Sequence, residues 1–237
     1  MGALDGLVAV VAGGTGSVGE RIVEAFLGAG ATVVVPAADA GRLDRLAGRL
    51  PRGTRERLVP VVCDAGTAEG VAHVRDAAEA RGGADAVVAA LGGWWQGPPL
   101  TALDPDAWRR MVTRPLASHF ALARAFLPGM IRRGRGTYTQ VNGPAAETPF
   151  AGAGPVSVAA AGQLMLGRAL IAELEGTGVR CFELVLGRVA PRGHPGGADR
   201  LDAAEVGAFA ARLAAAEGAG RVYHLRHSGA LHEADGL

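Results

Sequence analysis

The chain has 237 residues, of which 49% are hydrophobic and 20% charged, the balance of a globular protein with a substantial core. Its formal net charge is +1, so the sequence offers no field that would attract nucleic acid or an anionic membrane. No apolar run reaches the roughly 18 residues of a membrane span, and the N-terminus lacks a signal-peptide pattern. We therefore expect a cytoplasmic protein.

Short apolar runs alternate with helical patterns along the chain. Continuous apolar runs bounded by turn residues are typical of strands buried on both faces of a parallel sheet. The predicted strands are residues 7–12, 32–35, 58–63, 85–91, 136–141, 179–186 and 221–225. The predicted helices are residues 18–27, 42–50, a segment capped by Thr67, 104–130, 156–175 and 203–216.

Repeated strand–helix units require right-handed crossovers and a parallel sheet with helices on both faces. The sequence contains no domain boundary, internal repeat or low-complexity linker. We predict an α/β fold: a single-domain, Rossmann-type, doubly wound parallel sheet of about seven strands over residues 1–237.

Cysteine and histidine usage indicates neither a disulfide framework nor a metal site. Cys63 and Cys181 lie in or beside apolar strand runs, which predicts two buried thiols. The six histidines show no metal-ligand spacing.

A glycine-rich turn joins the first predicted strand to the first predicted helix. Residues 12–19 read Ala-Gly-Gly-Thr-Gly-Ser-Val-Gly. Glycines at such a turn let a pyrophosphate approach backbone N–H groups, and the helix dipole adds attraction. The alternative is a tight turn without a ligand. The predicted cofactor-binding residues here are Gly13, Thr15, Gly16, Ser17, Val18 and Gly19.

Nearly the whole chain resembles the short-chain dehydrogenase/reductase family. Gly13 and Gly19 match the family's Thr-Gly-x-x-x-Gly-x-Gly turn, although Ser17 replaces its middle glycine. The resemblance implies that Asp64 contacts the adenine of a dinucleotide. It also places the two glycines that follow later strands, Gly92 and Gly187, beside that cofactor.

The departures from this family fall on its catalytic residues. The chain contains no lysine, and neither of its tyrosines is followed by lysine four residues later. The resemblance aligns the family's catalytic Asn, Ser, Tyr and Lys with Pro115, Gly143, Ser157 and Ala161. A serine hydroxyl without a neighbouring cation is too weak an acid to protonate a developing alkoxide efficiently. An ordinary ketone reductase is therefore not expected.

The residues after the second strand leave the choice between NAD and NADP open. An acidic residue there would bind the 2′-hydroxyl of NAD, whereas an arginine would bind the 2′-phosphate of NADP. Residues 36–38 are Pro-Ala-Ala, and both Asp39 and Arg42 follow them closely.

Two tryptophans and several polar residues are candidates for a substrate pocket. Trp94 and Trp95 follow the fourth strand, at the sheet edge where ligands of such folds bind. They could line a pocket for an apolar or aromatic ligand, or pack against the fold. Asn142 and Ser157 are further pocket candidates, and Gln163 and Glu147 lie around the same cleft.

The catalytic candidates are His119, Asn142 and Ser157. His119 could act as a general acid or base, or could be a core histidine. Asn142 could bind a substrate oxygen, or could cap a loop. These residues do not form a recognisable acid–base constellation.

The fifth predicted helix is apolar around much of its circumference, so more than one of its faces needs burial. In the family, the fourth and fifth helices pair across a dimer axis. We expect a homodimer, or a homotetramer built from such dimers.

Three functions remain open at this point. The first is an atypical NAD(P)-binding oxidoreductase acting on an activated small molecule. The second is a non-redox lyase, cyclase or isomerase that reuses the pocket. The third is a catalytically silent nucleotide sensor or the partner of an active relative.

Overall fold

The computed structural model describes residues 2–228. Within them, seven strands form one sheet in the order β3-β2-β1-β4-β5-β6-β7, and every neighbouring pair is parallel. The strands are β1 Val8–Ala12, β2 Thr32–Ala37, β3 Leu58–Val62, β4 Ala86–Ala89, β5 Gly136–Asn142, β6 Val179–Leu186 and β7 Val222–Leu225. The predicted α/β Rossmann architecture is confirmed.

The helices lie on both faces of this sheet. They are α1 Ser17–Gly28, α2 Ala40–Arg49, α3 Ala68–Glu79, α4 Pro105–Trp108, α5 Arg114–Arg133, α6 Gly154–Glu173 and α7 Ala203–Ala215. Residues from α1, α2 and α7 share one hydrophobic core with the strands, and residues from α3, α5 and α6 share the other. Thr67 caps α3 as predicted, accepting a hydrogen bond from the Gly70 N–H at 3.0 Å.

The fourth predicted helix is not one regular helix. A π-helical segment, Arg109–Thr113, separates α4 from α5. Pro115 follows this segment, and because proline has no N–H it cannot make the regular helical bond back to Met111. Such single π turns occur often at functional sites.

Strand order reverses between β1 and β4, which are neighbours although two strands separate them in sequence. At such a switch point the loops leave the sheet in opposite directions and open a crevice at the strands' carboxyl ends. The fold therefore favours a ligand site beyond Ala12 and Ala89, the last residues of these two strands.

Helix α6 differs from the expectation that no apolar segment of this chain is long enough to span a membrane. Gly154–Glu173 has the length and composition of a membrane span, with a mean hydropathy of 1.3. It packs against the sheet and α5, and a core helix of a soluble protein can have the same composition. One such helix is weak evidence for a membrane location.

Both thiols are buried, as predicted, and neither forms a disulfide. Burial raises the pKa of Cys63, and it raises the pKa of Cys181 to about 12. Neither thiol is therefore a ready nucleophile near neutral pH.

Candidate functional site

A cavity of about 950 Å³ lies across the carboxyl ends of the strands, at the switch point. Its wall includes every residue that the sequence assigned to cofactor binding: Gly13, Thr15, Gly16, Ser17, Val18, Gly19, Asp64, Gly92 and Gly187. The fold thus brings together residues that lie up to 174 positions apart in the chain, from Gly13 to Gly187.

Close packing explains why glycine occupies two positions of the turn. A Cβ atom at Gly13 would lie 2.2 Å from the Ala90 carbonyl oxygen, and its φ of +84° disfavours other residues. A Cβ atom at Gly19 would lie 2.1 Å from the Gly13 carbonyl oxygen. Real side chains cannot fit at these distances, so the turn requires both glycines.

The start of α1 offers free hydrogen-bond donors to the cavity. Gly16 is the N-cap of α1, and a glycine has no side chain that could accept from the N–H groups of the first turn. Within residues 2–228, the backbone N–H groups of Ser17, Val18 and Gly19 have no acceptor. Unpaired N–H groups at a helix N-terminus bind phosphate, so this end of the cavity fits the diphosphate of a dinucleotide.

Asp64 follows β3 and lies at one end of the cavity. Its Oδ1 accepts from the Gly66 N–H at 2.9 Å, and its Oδ2 pairs with the Arg114 guanidinium. These bonds fix the carboxylate at the wall while leaving its side chain 40% exposed. An adenine amino group could donate to it there.

The two charged residues after β2 have different surroundings. The Asp39 carboxylate caps α2 by accepting from the Gly41 N–H at 2.8 Å, and it lies 3.7 Å from Arg45. Arg42 lines the cavity, and it has no ion pair within residues 2–228. Of these two residues after β2, the structure therefore presents the Arg42 cation to the cavity and not the Asp39 carboxylate.

Both tryptophans line the cavity. Trp94 is 57% exposed and meets Phe150 edge to face, with ring centroids 5.2 Å apart. Trp95 is half-buried, and its ring lies where a Cβ atom of Gly97 would be. The pair forms an aromatic rim at the mouth of the cavity.

Helix α6 presents a different set of side chains to the cavity from the set that the sequence alignment assigned. Val156, Ala159, Ala160 and Gln163 line the wall. Ser157 does not, and its Oγ donates to the Ala153 carbonyl oxygen at 3.3 Å, while Ala161 is exposed. Two cavity-facing pairs therefore have tyrosine–lysine spacing: Val156 with Ala160, one residue earlier than aligned, and Ala159 with Gln163, two residues later.

Shifting the alignment by one residue does not restore a proton donor. Valine and alanine cannot ionise, and Gly143 and Pro115, which also line the cavity, offer no polar side-chain atom. Tyr138 is fully buried in the core, where burial raises its pKa well above 10, and Tyr223 packs against Phe209. Neither tyrosine lines the cavity.

His119 is fully buried and does not line the cavity. Its Nε2 lies 2.9 Å from the Leu91 carbonyl oxygen, to which it donates. Burial lowers its pKa, so the ring is neutral at pH 7. His119 is therefore a core histidine, one of the two alternatives that the sequence left open, and not a general acid in contact with substrate.

Asn142 borders the cavity, but internal hydrogen bonds occupy its amide. Its Nδ2 donates to the Ala160 carbonyl oxygen at 2.9 Å and to Glu183 Oε1 at 3.1 Å. Its Oδ1 accepts from the Gly143 N–H at 2.9 Å. Asn142 therefore ties β5 to α6 and β6, and its geometry matches the loop-capping alternative.

Glu183 is a buried carboxyl group beneath the cavity floor. Its Oε2 accepts from Gln140 Nε2 at 2.7 Å, and the group is fully buried. Burial raises the pKa of Glu183 to about 7, although the hydrogen bonds from Gln140 and Asn142 oppose the rise. The group is not in the cavity wall, so its effect on the site passes through Asn142.

The remaining polar candidates lie elsewhere. Glu147 is exposed and lies 2.7 Å from His224, outside the cavity wall. In the described part of the chain, no group of three or more His, Cys, Asp or Glu side chains could hold a metal ion. His232 lies outside the described residues.

The sequence reasoning missed the part of the wall that comes from the π segment. Arg110 and Met111 line the cavity because the extra residue of a π turn changes which side chains face inward. Pro115 is the one local signal that could have indicated this break.

Comparison with known proteins identifies the class. The family model for short chain dehydrogenases matches residues 7–194, most of the chain. The chain therefore belongs to the short-chain dehydrogenase family.

Named relatives of this chain act on different substrates. It is 32% identical over 194 residues to galactitol 2-dehydrogenase (L-tagatose-forming) of Cereibacter sphaeroides, covering 79% of this chain and 73% of that one. It is 32% identical to 1-deoxy-11-beta-hydroxypentalenate dehydrogenase of Streptomyces exfoliatus, with 79% and 72% covered. It spans only 61% of a 29% identical short chain dehydrogenase of Pseudocercospora fijiensis.

Solved structures agree with this fold. A metagenomic short-chain oxidoreductase in complex with NADP superposes with a TM-score of 0.80 at 23% identity, covering 95% of this chain and 98% of that one. An NADPH-bound short chain oxidoreductase of Pseudomonas aeruginosa, described as containing an atypical catalytic center, has a TM-score of 0.71 at 30% identity. That match covers 78% of this chain and 72% of the other.

Proposed function

We propose that this protein is an atypical NADP-dependent oxidoreductase that transfers hydride without a tyrosine–lysine proton donor. One observation carries the proposal. A complete dinucleotide cradle opens directly onto a catalytic end whose wall positions are Pro115, Gly143, Val156 and Ala160. Since none of these side chains can give a proton, the reaction must not depend on one from them.

NADP is the better fit of the two cofactors. Arg42 faces the cavity without an ion pair in the described residues, whereas the Asp39 carboxylate is engaged at the N-terminus of α2. A guanidinium can bind a 2′-phosphate, and a carboxylate would repel it. The 30% identical relative of Pseudomonas aeruginosa binds NADPH, which supports the same choice.

The cavity favours an apolar or aromatic substrate. Trp94 and Trp95 form the rim, and Val156 and Ala160 form the adjoining wall. A bound nicotinamide supplies the hydride-transfer chemistry. The chain's own residues orient an acceptor against it and exclude water, which raises the rate by proximity. An activated acceptor, such as a quinone or an iminium ion, needs little protonation by the protein.

A catalytically silent nucleotide sensor is the second candidate, and the same apolar wall favours it. The turn that binds the diphosphate is complete, while the side chains that would donate a proton are missing. Such a protein would bind NADPH with a similar affinity and would not oxidise it.

The exposed apolar residues of α5 and α6 support pairing with a second copy of the chain. Phe120 is 55% exposed, Met165 60% and Val158 42%. Large apolar side chains grouped on neighbouring helices are typical of an interface. We therefore propose a homodimer, or a tetramer built from such dimers.

Turnover separates the two candidates. NADPH oxidation at 340 nm, measured with a panel of quinones, iminium ions and unactivated ketones, should show activity on an activated acceptor and little on simple ketones. Because Gly19→Ala blocks the cradle, that variant is the control for background reduction. Tight NADPH binding with no turnover on the panel would favour the sensor.

A further inference from the structure

Gln163 presents its side-chain amide at the cavity wall. The residue is 6% exposed and lines the cavity. Its backbone carbonyl accepts from Gln140 Nε2 at 3.1 Å, but its side-chain amide has no hydrogen bond within residues 2–228. Because this amide is unpaired and opens onto the cavity, a ligand there can accept from its NH₂ group and donate to its carbonyl oxygen.

The neighbourhood of Gln163 offers few other polar groups. Pro115, Val156, Ala159 and Ala160 give apolar side chains to this part of the wall. Asn142 is nearby, but its amide is fully engaged with Ala160, Glu183 and Gly143. Gln163 is therefore the side chain on α6 that remains available to bind a polar ligand group.

The position of the cradle defines which ligand group comes near α6. Arg42 and Asp64 mark the adenosine end, on the β2–β3 side, and the N-terminus of α1 receives the diphosphate. The second nucleoside must then cross the switch point toward β5 and α6. Its ribose carries two adjacent hydroxyl groups, which need hydrogen-bond partners once they leave water.

We propose that the Gln163 side-chain amide binds the hydroxyl groups of this second ribose, an inference that rests on the proposed function. A carboxamide suits a diol because its NH₂ group donates while its carbonyl oxygen accepts. Ala160, which precedes Gln163 by one helical turn, is small enough to leave the path from Gln163 to the ligand open. Gln163 is thereby a cofactor-positioning residue.

Two probes separate this role from a structural one. NADPH contains both nucleosides, whereas adenosine 2′,5′-bisphosphate contains only the adenosine end. Isothermal titration of Gln163→Met should show NADPH binding weakened roughly tenfold, the worth of one or two hydrogen bonds, with bisphosphate binding unchanged. Gln163→Asn, which withdraws the amide by one carbon, should show the same selective loss.

Gln96→Met is the matched control, because Gln96 is exposed and lies outside the cavity wall. It should bind both probes like the unmodified protein. Equal weakening of both probes by Gln163→Met and Gln163→Asn would indicate a structural role and overturn the inference, as would unchanged NADPH binding. If the unmodified protein bound neither probe, the proposed function itself would fail.

Discussion

The two ends of the cavity differ in the hydrogen-bonding groups that they present. At the cofactor end, close packing requires glycine at Gly13 and Gly19, and the free N–H groups of α1 face the cavity. At the catalytic end, the cavity-facing pairs with tyrosine–lysine spacing are Val156 with Ala160 and Ala159 with Gln163, and none of these side chains can ionise. On the proposed function, cofactor binding and proton transfer depend on separate residues, so a chain can keep the first without the second.

The largest expected effect comes from breaking the cofactor end. Gly19→Ala puts a Cβ atom 2.1 Å from the Gly13 carbonyl oxygen, so the turn must move. We expect NADPH binding to fall by at least about a hundredfold in a fluorescence titration, because several backbone donors lose their alignment together.

Gly28→Ala is the control in the same helix, since a Cβ atom there meets nothing within 4 Å. It should leave binding unchanged. Equal binding by both variants would mean that the turn does not hold the cofactor.

Restoring a proton donor sharpens the comparison at the catalytic end. The double substitution Val156→Tyr with Ala160→Lys places an acid and a cation on the cavity wall. General acid catalysis is worth about a hundredfold or more, so NADPH-dependent reduction of a simple ketone should rise by roughly that factor.

The pair Ser157→Tyr with Ala161→Lys tests the register of α6. Ser157 lies outside the wall and Ala161 is exposed, so this pair should give no gain. If the later pair gave the gain and the earlier one did not, the assignment of cavity-facing positions would be wrong.

A smaller effect is expected from the carboxyl group beneath the catalytic end. Since burial raises the pKa of Glu183 to about 7 from 4.5, the folded state holds its proton more tightly than the unfolded state does. Its contribution to stability is complete below pH 4.5 and is lost as pH rises through about 7, up to about 3 kcal/mol. Glu183→Gln should remove this part of the pH dependence of the free energy of unfolding, measured by denaturant unfolding at a series of pH values.

The control for that pH dependence is Glu147→Gln, which removes an exposed carboxylate. His119 titrates in the opposite sense because its pKa is lowered, so the difference between each variant and the unmodified protein is the quantity to compare. If the free energy of unfolding of Glu183→Gln depended on pH as steeply as that of the unmodified protein, the raised pKa of Glu183 would be refuted.

Local patterns were sufficient to predict the fold, and they also picked out the residues that come together at the proposed cofactor end. Strands β1 to β4 are short and largely apolar, and the glycine turn lies between a strand and a helix, so neighbouring residues carry the signal. The absence of lysine is also readable directly from the sequence.

The catalytic end depends on contacts that sequence spacing does not reveal. A shift of one residue on a helix turns a side chain by about 100°, which is enough to move Ser157 out of the wall. The Asn142 amide donates to Glu183, 41 residues later, and the His119 ring donates to the Leu91 carbonyl oxygen, 28 residues earlier. Such long-range partners decide which polar residues remain free.

The most direct test of the retained cofactor end is a titration of the unmodified protein with NADPH and with NADH, following tryptophan fluorescence. Trp94 and Trp95 line the cavity, so a bound reduced nicotinamide should quench them. We expect micromolar NADPH binding, at least about tenfold tighter than NADH binding because of Arg42. No quenching by either at millimolar concentration, or tighter binding of NADH, would contradict the account.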